Sequence, residues 1–230
     1  MTYAELRGER TGAVLWCVRP DAPEHLVTPD GVLDLLWFRD QVVVAGPDTV
    51  AMTAHTEAGD ATHGLRLAPG LAHELLGVPI QELTDRRVDL ADLVPTARLH
   101  ARSFQADPAG ALEDVLLALW TRADADVGLL RRARALDQAA QRGDRIQDMA
   151  RELDLSERSV HRLGTRLFGY GPTVLRRIHR FRRAQALAGT GMELASAAAT
   201  AGYSDQAHFT REARRLSGRT PAQLLGPAAK

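Results

Sequence analysis

The chain has 230 residues, 45% hydrophobic and 25% charged, values ordinary for a soluble globular protein, so disorder is not expected and the length suits one large domain or two modest ones, two being the expectation. Its 29 basic and 29 acidic residues cancel to zero net charge. No apolar run approaches the roughly 18 residues of a membrane span, and the first thirty residues lack a secretion-signal pattern, so the expected location is the cytoplasm without a membrane partner.

In chain order, residues up to about 95 alternate short apolar runs with turn residues. "AVLWCV" (13–18), "GVLDLLWF" (31–38), "QVVVAGPD" (41–48), "TVAMTAH" (49–55) and "HGLRLAPG" (63–70) read as strands bounded by Gly, Pro and Asp. Two helical pieces are expected within this part, at 71–77 and around 90–102. The single cysteine, Cys17, sits in an apolar run beside Trp16 and reads as a buried thiol. From Asp107 the period becomes helical. Asp107 followed by Pro108 forms a helix start, with Leu112, Val115, Leu116 and Leu119 as the buried stripe. A second helix spans about 126–141, with Val127, Leu130, Ala133 and Ala140 facing inward and Gly143 ending it.

The zero net charge hides a division. Residues 1–105 hold nine arginines against fifteen carboxylates, a net of −6; residues 106–140 come to −2, and residues 141–230 to +8. Such asymmetry suggests a polyanion-binding module attached to something of another kind. Within the basic part, Asp144 and Gln147 form a capping-box pattern ahead of a short helix bearing Ile146, Met149, Ala150 and Leu153. Ser156 can cap a following helix whose inner side carries Val160, Gly164 and Leu167. Two short helices joined in this way are a helix-turn-helix.

The arrangement then returns. Thr190 and Glu193 repeat the capping-box pattern, Leu194 and Ala198 stand 48 residues after Ile146 and Ala150, and Phe209, Arg211, Gly218 and Pro221 stand 49 after Val160, Arg162, Gly169 and Pro172. One extra residue in the second turn accounts for the shift, with Asp205 in the capping place of Ser156. Between the units, residues 172–188 read as one continuous helix with Val174, Leu175, Ile178, Phe181 and Leu187 on its apolar stripe. At 1.5 Å per residue it spans roughly 25 Å, enough to hold two reading helices near the roughly 34 Å separation of successive major grooves.

The stretch "AGYSDQAHFTREARRLSGRTPAQ" resembles the second motif of the AraC/XylS family of bacterial transcription regulators, and residues 144–226 resemble its two-motif DNA-binding domain throughout. The resemblance implies a linker helix joining two helix-turn-helix units in adjacent major grooves of double-stranded DNA. One departure stands out: where the family carries a large aromatic on each recognition helix, this chain has Gly164 and Ala213. The expected fold class is α+β, a mostly β front domain of barrel-like or sandwich-like form at 1–105, a helical connector at 106–142 and an all-α DNA-binding domain at 143–230.

The exposed face of the first recognition helix is expected to present Glu157, Arg158, His161, Arg162 and Arg166, and that of the second Gln206, Thr210, Arg211 and Arg214. Arg can bond guanine bidentately and Gln adenine, so Arg158, Arg162, Gln206 and Arg211 are the expected base contacts. Arg176 and Arg177 lead a cluster with Arg180, Arg182 and Arg183 on the linker helix; some are expected on phosphates and others against acidic groups of the front domain.

The front half resembles small, functionally undefined members of the same family, which implies an effector-binding or dimerisation role. A small-molecule effector, RNA polymerase and a second copy are the candidate further partners. Trp16, Trp37 and Phe38 are candidates for a ligand-cavity wall, or are plain core aromatics; both readings stand. "HTEAGDATH" gathers His55, Glu57, Asp60 and His63, residue types that hold metals but in a spacing that fits no ligand template. No cofactor and no enzyme activity are expected. The alternative is a front domain that is an enzyme or a metal-dependent sensor, with the basic helices serving localisation.

Overall fold

The computed structural model describes residues 2–57, 60–94 and 101–225. The strands are β1 (Thr2–Arg7), β2 (Val14–Arg19), β3 (Glu24–Val27), β4 (Asp34–Phe38), β5 (Gln41–Ala45), β6 (Met52–His55), β7 (Thr62–Arg66) and β8 (Arg87–Asp89). The helices are α1 (Leu71–Leu76), α2 (Leu90–Leu93), α3 (Ala101–Ala106), α4 (Pro108–Arg122), α5 (Val127–Arg142), α6 (Ile146–Glu152), α7 (Glu157–Phe168), α8 (Pro172–Gly189), α9 (Leu194–Ala201), α10 (Gln206–Ser217) and α11 (Pro221–Leu225), with a 3-10 turn at Ile80–Leu83. A β-rich front part followed by helices is the expected α+β order. β1, β3 and β8 escaped the sequence reading, being exposed or only three or four residues long.

Six strands pair antiparallel in the order β1-β2-β7-β4-β5-β8, and β3 pairs β6 in a second, two-stranded sheet. Strand alternation sorts the side chains of the larger sheet onto two faces. Leu15, Leu35, Trp37, Val42, Val44 and Leu65 lie on the inner face, each less than a tenth exposed, against α1, the 3-10 turn and α4. Trp37 is buried within this core and stacks on Phe104 with ring centroids 4.2 Å apart. Trp16, Leu36 and Val43 share the opposite face through their pairing about Gly64, and all are half-buried. A side chain at Gly64 would collide with the Trp16 indole, so the glycine lets that ring lie flat on the sheet.

α4 belongs to the front core. Asp107 accepts the Gly110 N–H at 2.9 Å as its cap, Pro108 occupies the first turn, and Leu112, Val115, Leu116 and Leu119 are buried against the sheet. The buried Glu113 takes the backbone N–H of Thr11 and its hydroxyl, both at 2.8 Å, tying the β1–β2 turn to the helix. α5, by contrast, packs with α6, α7 and the first half of α8 in a second core. Its start is capped by Asp126 and its end by Gly143 at φ 83, a left-handed conformation that glycine adopts without strain. Val127, expected in the buried stripe, is 52% exposed instead; it stands at the first turn, ahead of the packed face.

α8 is one unbroken helix whose Leu175 and Ile178 enter that second core, while Phe181 and Ala184 enter a third core with α9 and α10. Neither expected capping box forms. Arg145 and Glu193 occupy the cap positions of α6 and α9 without side-chain caps. Asp144 pairs with Arg142, and the Thr190 hydroxyl donates back to Leu187 O at 2.7 Å, so each caps or pairs with the preceding helix. Among the described residues, no helix is long and apolar enough to cross a membrane.

Candidate nucleic-acid interface

The two helix-turn-helix units are built alike at the level of single hydrogen bonds. In the first, Leu155 N donates to Ala150 O at 2.9 Å to close the turn, Asp154 standing at φ 52; in the second, Tyr203 N donates to Ala198 O at 2.9 Å, with Gly202 at φ 91. These bonds connect positions 48 residues apart. Ser156 then accepts the Ser159 N–H at 3.1 Å, and Asp205 accepts the His208 N–H at 2.6 Å, so both recognition helices start on a side-chain cap. The His208 amide holds the Asp205 carboxyl below its ordinary range.

Each recognition helix buries one stripe and exposes the other. On α7, Val160, Gly164 and Leu167 are buried, while Glu157, Arg158, His161, Arg162 and Arg166 are exposed. On α10, Phe209, Ala213 and Leu216 are buried; Gln206, Arg211 and Arg214 are exposed and Thr210 is half-buried, its hydroxyl donating to Gln206 O at 2.9 Å. The missing aromatics leave no hollow. A side chain at Gly164 would meet Pro172 Cδ at 3.0 Å, because the start of α8 lies directly against α7 there. Ala213 is fully buried beneath a cluster in which Tyr203 and Phe209 lie 5.1 Å apart and Phe181 and Phe209 6.4 Å apart.

The linker arginines are largely engaged within the protein. Arg176 donates to Asp144 O at 3.0 Å, and Arg182 to Asp30 O of the front domain at 3.4 Å. Arg177 and Arg180 face Glu212 of α10, with nitrogens 3.5 and 3.8 Å from its Oε1, and the Arg180 guanidinium lies 4.3 Å over the Tyr203 ring. Glu212 is 9% exposed, and burial pushes the Tyr203 phenol up to about 12. This inward triad was missed by the sequence reading. Its signal was present: Glu212 stands three after Phe209 and four before Leu216, on the stripe that should be apolar.

The front domain reaches the first recognition helix. Arg166 Nε donates to His73 Nε2 at 2.8 Å; His73 Nδ1 donates to Val78 O at 2.8 Å, which fixes the neutral tautomer that can accept. A cleft of about 650 Å³ runs between Pro79 and Gln81 on one wall and Arg158, His161, Arg162 and Thr165 on the other. The histidine and carboxylate candidates in the front domain do not converge. His55 faces Glu24 at 3.4 Å, Glu57 and Asp60 both hold Arg39, and His63 lies 3.9 Å from the Cys17 sulfur. Among the described residues, no group of three or more such side chains could hold a metal ion.

Twin capped helices with basic outer faces on a shared linker helix define a DNA-binding transcription regulator of the helix-turn-helix class. Residues 149–226 match the family model described as a helix-turn-helix domain, and residues 13–89 match that of a domain of unknown function, DUF6597. The C-terminal segment is thus similar to helix-turn-helix domains of the AraC type and the front segment to DUF6597. No curated protein matches the chain.

Among solved structures, the chain is similar to ToxT from Vibrio cholerae. A 1.65 Å structure is 12% identical over 88% of this chain and 89% of that one, with a TM-score of 0.47. The apo K231A variant is 13% identical over 89% and 97%, at 0.48. The form bound to an unsaturated fatty acid is 12% identical over 88% and 86%, at 0.46.

Proposed function

We propose that the chain is a one-component, sequence-specific regulator whose two units read adjacent major grooves of one duplex, under the control of a small effector taken up by the front domain. The observation that carries the DNA reading is the equivalence of α7 and α10, which start on matching caps and expose arginines at equivalent positions, Arg162 and Arg211. N-terminal residues of such helices reach base edges, so Arg158, Arg162, Gln206 and Arg211 read bases, while Arg166 and Arg214 lie further along, towards phosphates. Arg211→Ala is expected to cost about 1–3 kcal/mol at a site selected from random DNA and to relax preference at one base position. Binding curves on that site and its single-base variants check this; unchanged affinity and preference would put the reading face elsewhere.

The effector reading is supported by the outer face of the six-stranded sheet. There Trp16, Leu36, Phe38 and Val43 are half-buried, and the Trp16 indole N–H is turned to the Asp34 carboxyl on the same face. An apolar ligand fits that lining. We place the functional boundary between α4 and α5, at about 123–126, because α4 packs in the front core and α5 in the helical one. A fragment starting near residue 124 is expected to keep specific DNA binding, whereas one starting at 106 carries the apolar face of α4 uncovered.

A further inference from the structure

Both recognition helices end against one small part of the front domain. α7 closes on Gly169 at φ 79 and α10 on Gly218 at φ 69, again 49 residues apart. At the first, the Thr84 hydroxyl donates to Gly169 O at 3.3 Å; a side chain on Gly169 would run into that hydroxyl and into Pro47. At the second, Ala51 N donates to Leu216 O at 2.6 Å. Thr84 and Ala51 belong to two loops, 79–86 and 46–51, that meet the ends of α7 and α10 respectively.

These loops are stitched into a single body. Asp85 N donates to Pro47 O at 3.1 Å and Gly46 N to Arg86 O at 3.0 Å. The Asp85 carboxylate takes both the backbone N–H and the hydroxyl of Thr49, each at 2.7 Å. Arg87 grips Asp48 through two nitrogens, at 2.9 and 2.7 Å. A side chain at Gly46 would strike the Leu83 carbonyl, so the strands leave no slack beneath the pair. Asp85 holds φ 56, a conformation that Asp and Asn tolerate better than most residues.

We propose that this double loop fixes the separation of the two recognition helices, and so sets which spacing between half-sites the protein binds, with Asp85 as the positioning residue. The linker helix alone joins the two units at one place; a second brace, at the far ends of both reading helices, turns a joint into a closed frame. The inference rests on the two-groove reading above. It assigns to the front domain a part in selecting DNA that needs no effector.

The test uses the full chain and duplexes carrying the selected site, with one base pair removed from or added between the half-sites. The wild type is expected to lose about 100-fold on the misspaced duplexes, since two modules that cannot engage together forfeit their joint affinity. Asp85→Ala should bring the three duplexes within about threefold of one another while base preference inside each half-site stays as in the wild type. Asp85→Asn keeps an acceptor for Thr49 N and suits the positive φ, so it should restore the wild-type profile. Thr84→Val removes the bond to Gly169 O with little change of shape, and provides the same test if Asp85→Ala does not fold. A wild-type spacing profile in Asp85→Ala, or in Thr84→Val if it stands in, overturns the inference. Indifference to spacing in the wild type itself overturns the two-groove reading along with it.

Discussion

Replacing Glu212 with alanine is expected to destabilise the protein by about 2–4 kcal/mol, read as a lower urea midpoint. The carboxylate is the shared partner of Arg177 and Arg180, and removing it leaves two guanidinium groups facing one another beneath α10. Breaking a buried ion pair from one side costs about 3–5 kcal/mol; the expectation is lowered because the arginine side chains remain 19% and 30% exposed. Arg177→Ala, which leaves Glu212 with Arg180, should cost only about 1 kcal/mol. Its effect on DNA binding should then fall on the half-site read by α10, through the seat of that helix. A uniform loss on all sequences, with the salt slope reduced by about one, would instead return Arg177 to a phosphate.

Asp34→Asn should make the protein more stable at pH 8.5 and leave it nearly unchanged at pH 4. Burial, helped by the neighbouring Asp30, pushes the Asp34 carboxyl up to about 7, while Arg66 at 3.7 Å pulls it down less strongly. A carboxyl whose folded value exceeds its unfolded one favours folding while protonated, so that contribution is complete below about pH 4 and is lost as pH rises through 7. The shift of about three units sets an upper bound of about 4 kcal/mol, and loss of a partner for Arg66 brings the expected gain to about 1–3. Urea unfolding of both proteins at the two pH values measures it. Equal stability at pH 8.5 would mean that Asp34 is ionised at little cost.

The C-terminal architecture was legible because its signals are local and duplicated. Ser156 and Asp205 cap as their positions require, and the offsets of 48 and 49 reappear as equivalent turn bonds. The capping boxes were over-read for a physical reason: Asp144 and Thr190 each had an older claim, on the end of the helix before. In the front domain, the strand pattern located β2, β4, β5, β6 and β7, yet β1 shows no buried position at all and so leaves no periodic trace. The faces of Trp16 and Trp37 could be separated only once the pairing about Gly64 was known. The seating of Arg166 on His73, and of both recognition helices on the loops at 46–51 and 79–86, joins residues 85 to 165 positions apart; nothing in local composition announces such contacts.

Because Leu175 and Ile178 of α8 are spent on one core and Phe181 and Ala184 on the next, neither half of that helix can melt alone without dragging its other end from cover. The basic segment should therefore denature as a single cooperative block, with amide protons of α6 and α9 exchanging at matched rates despite lying in separate units.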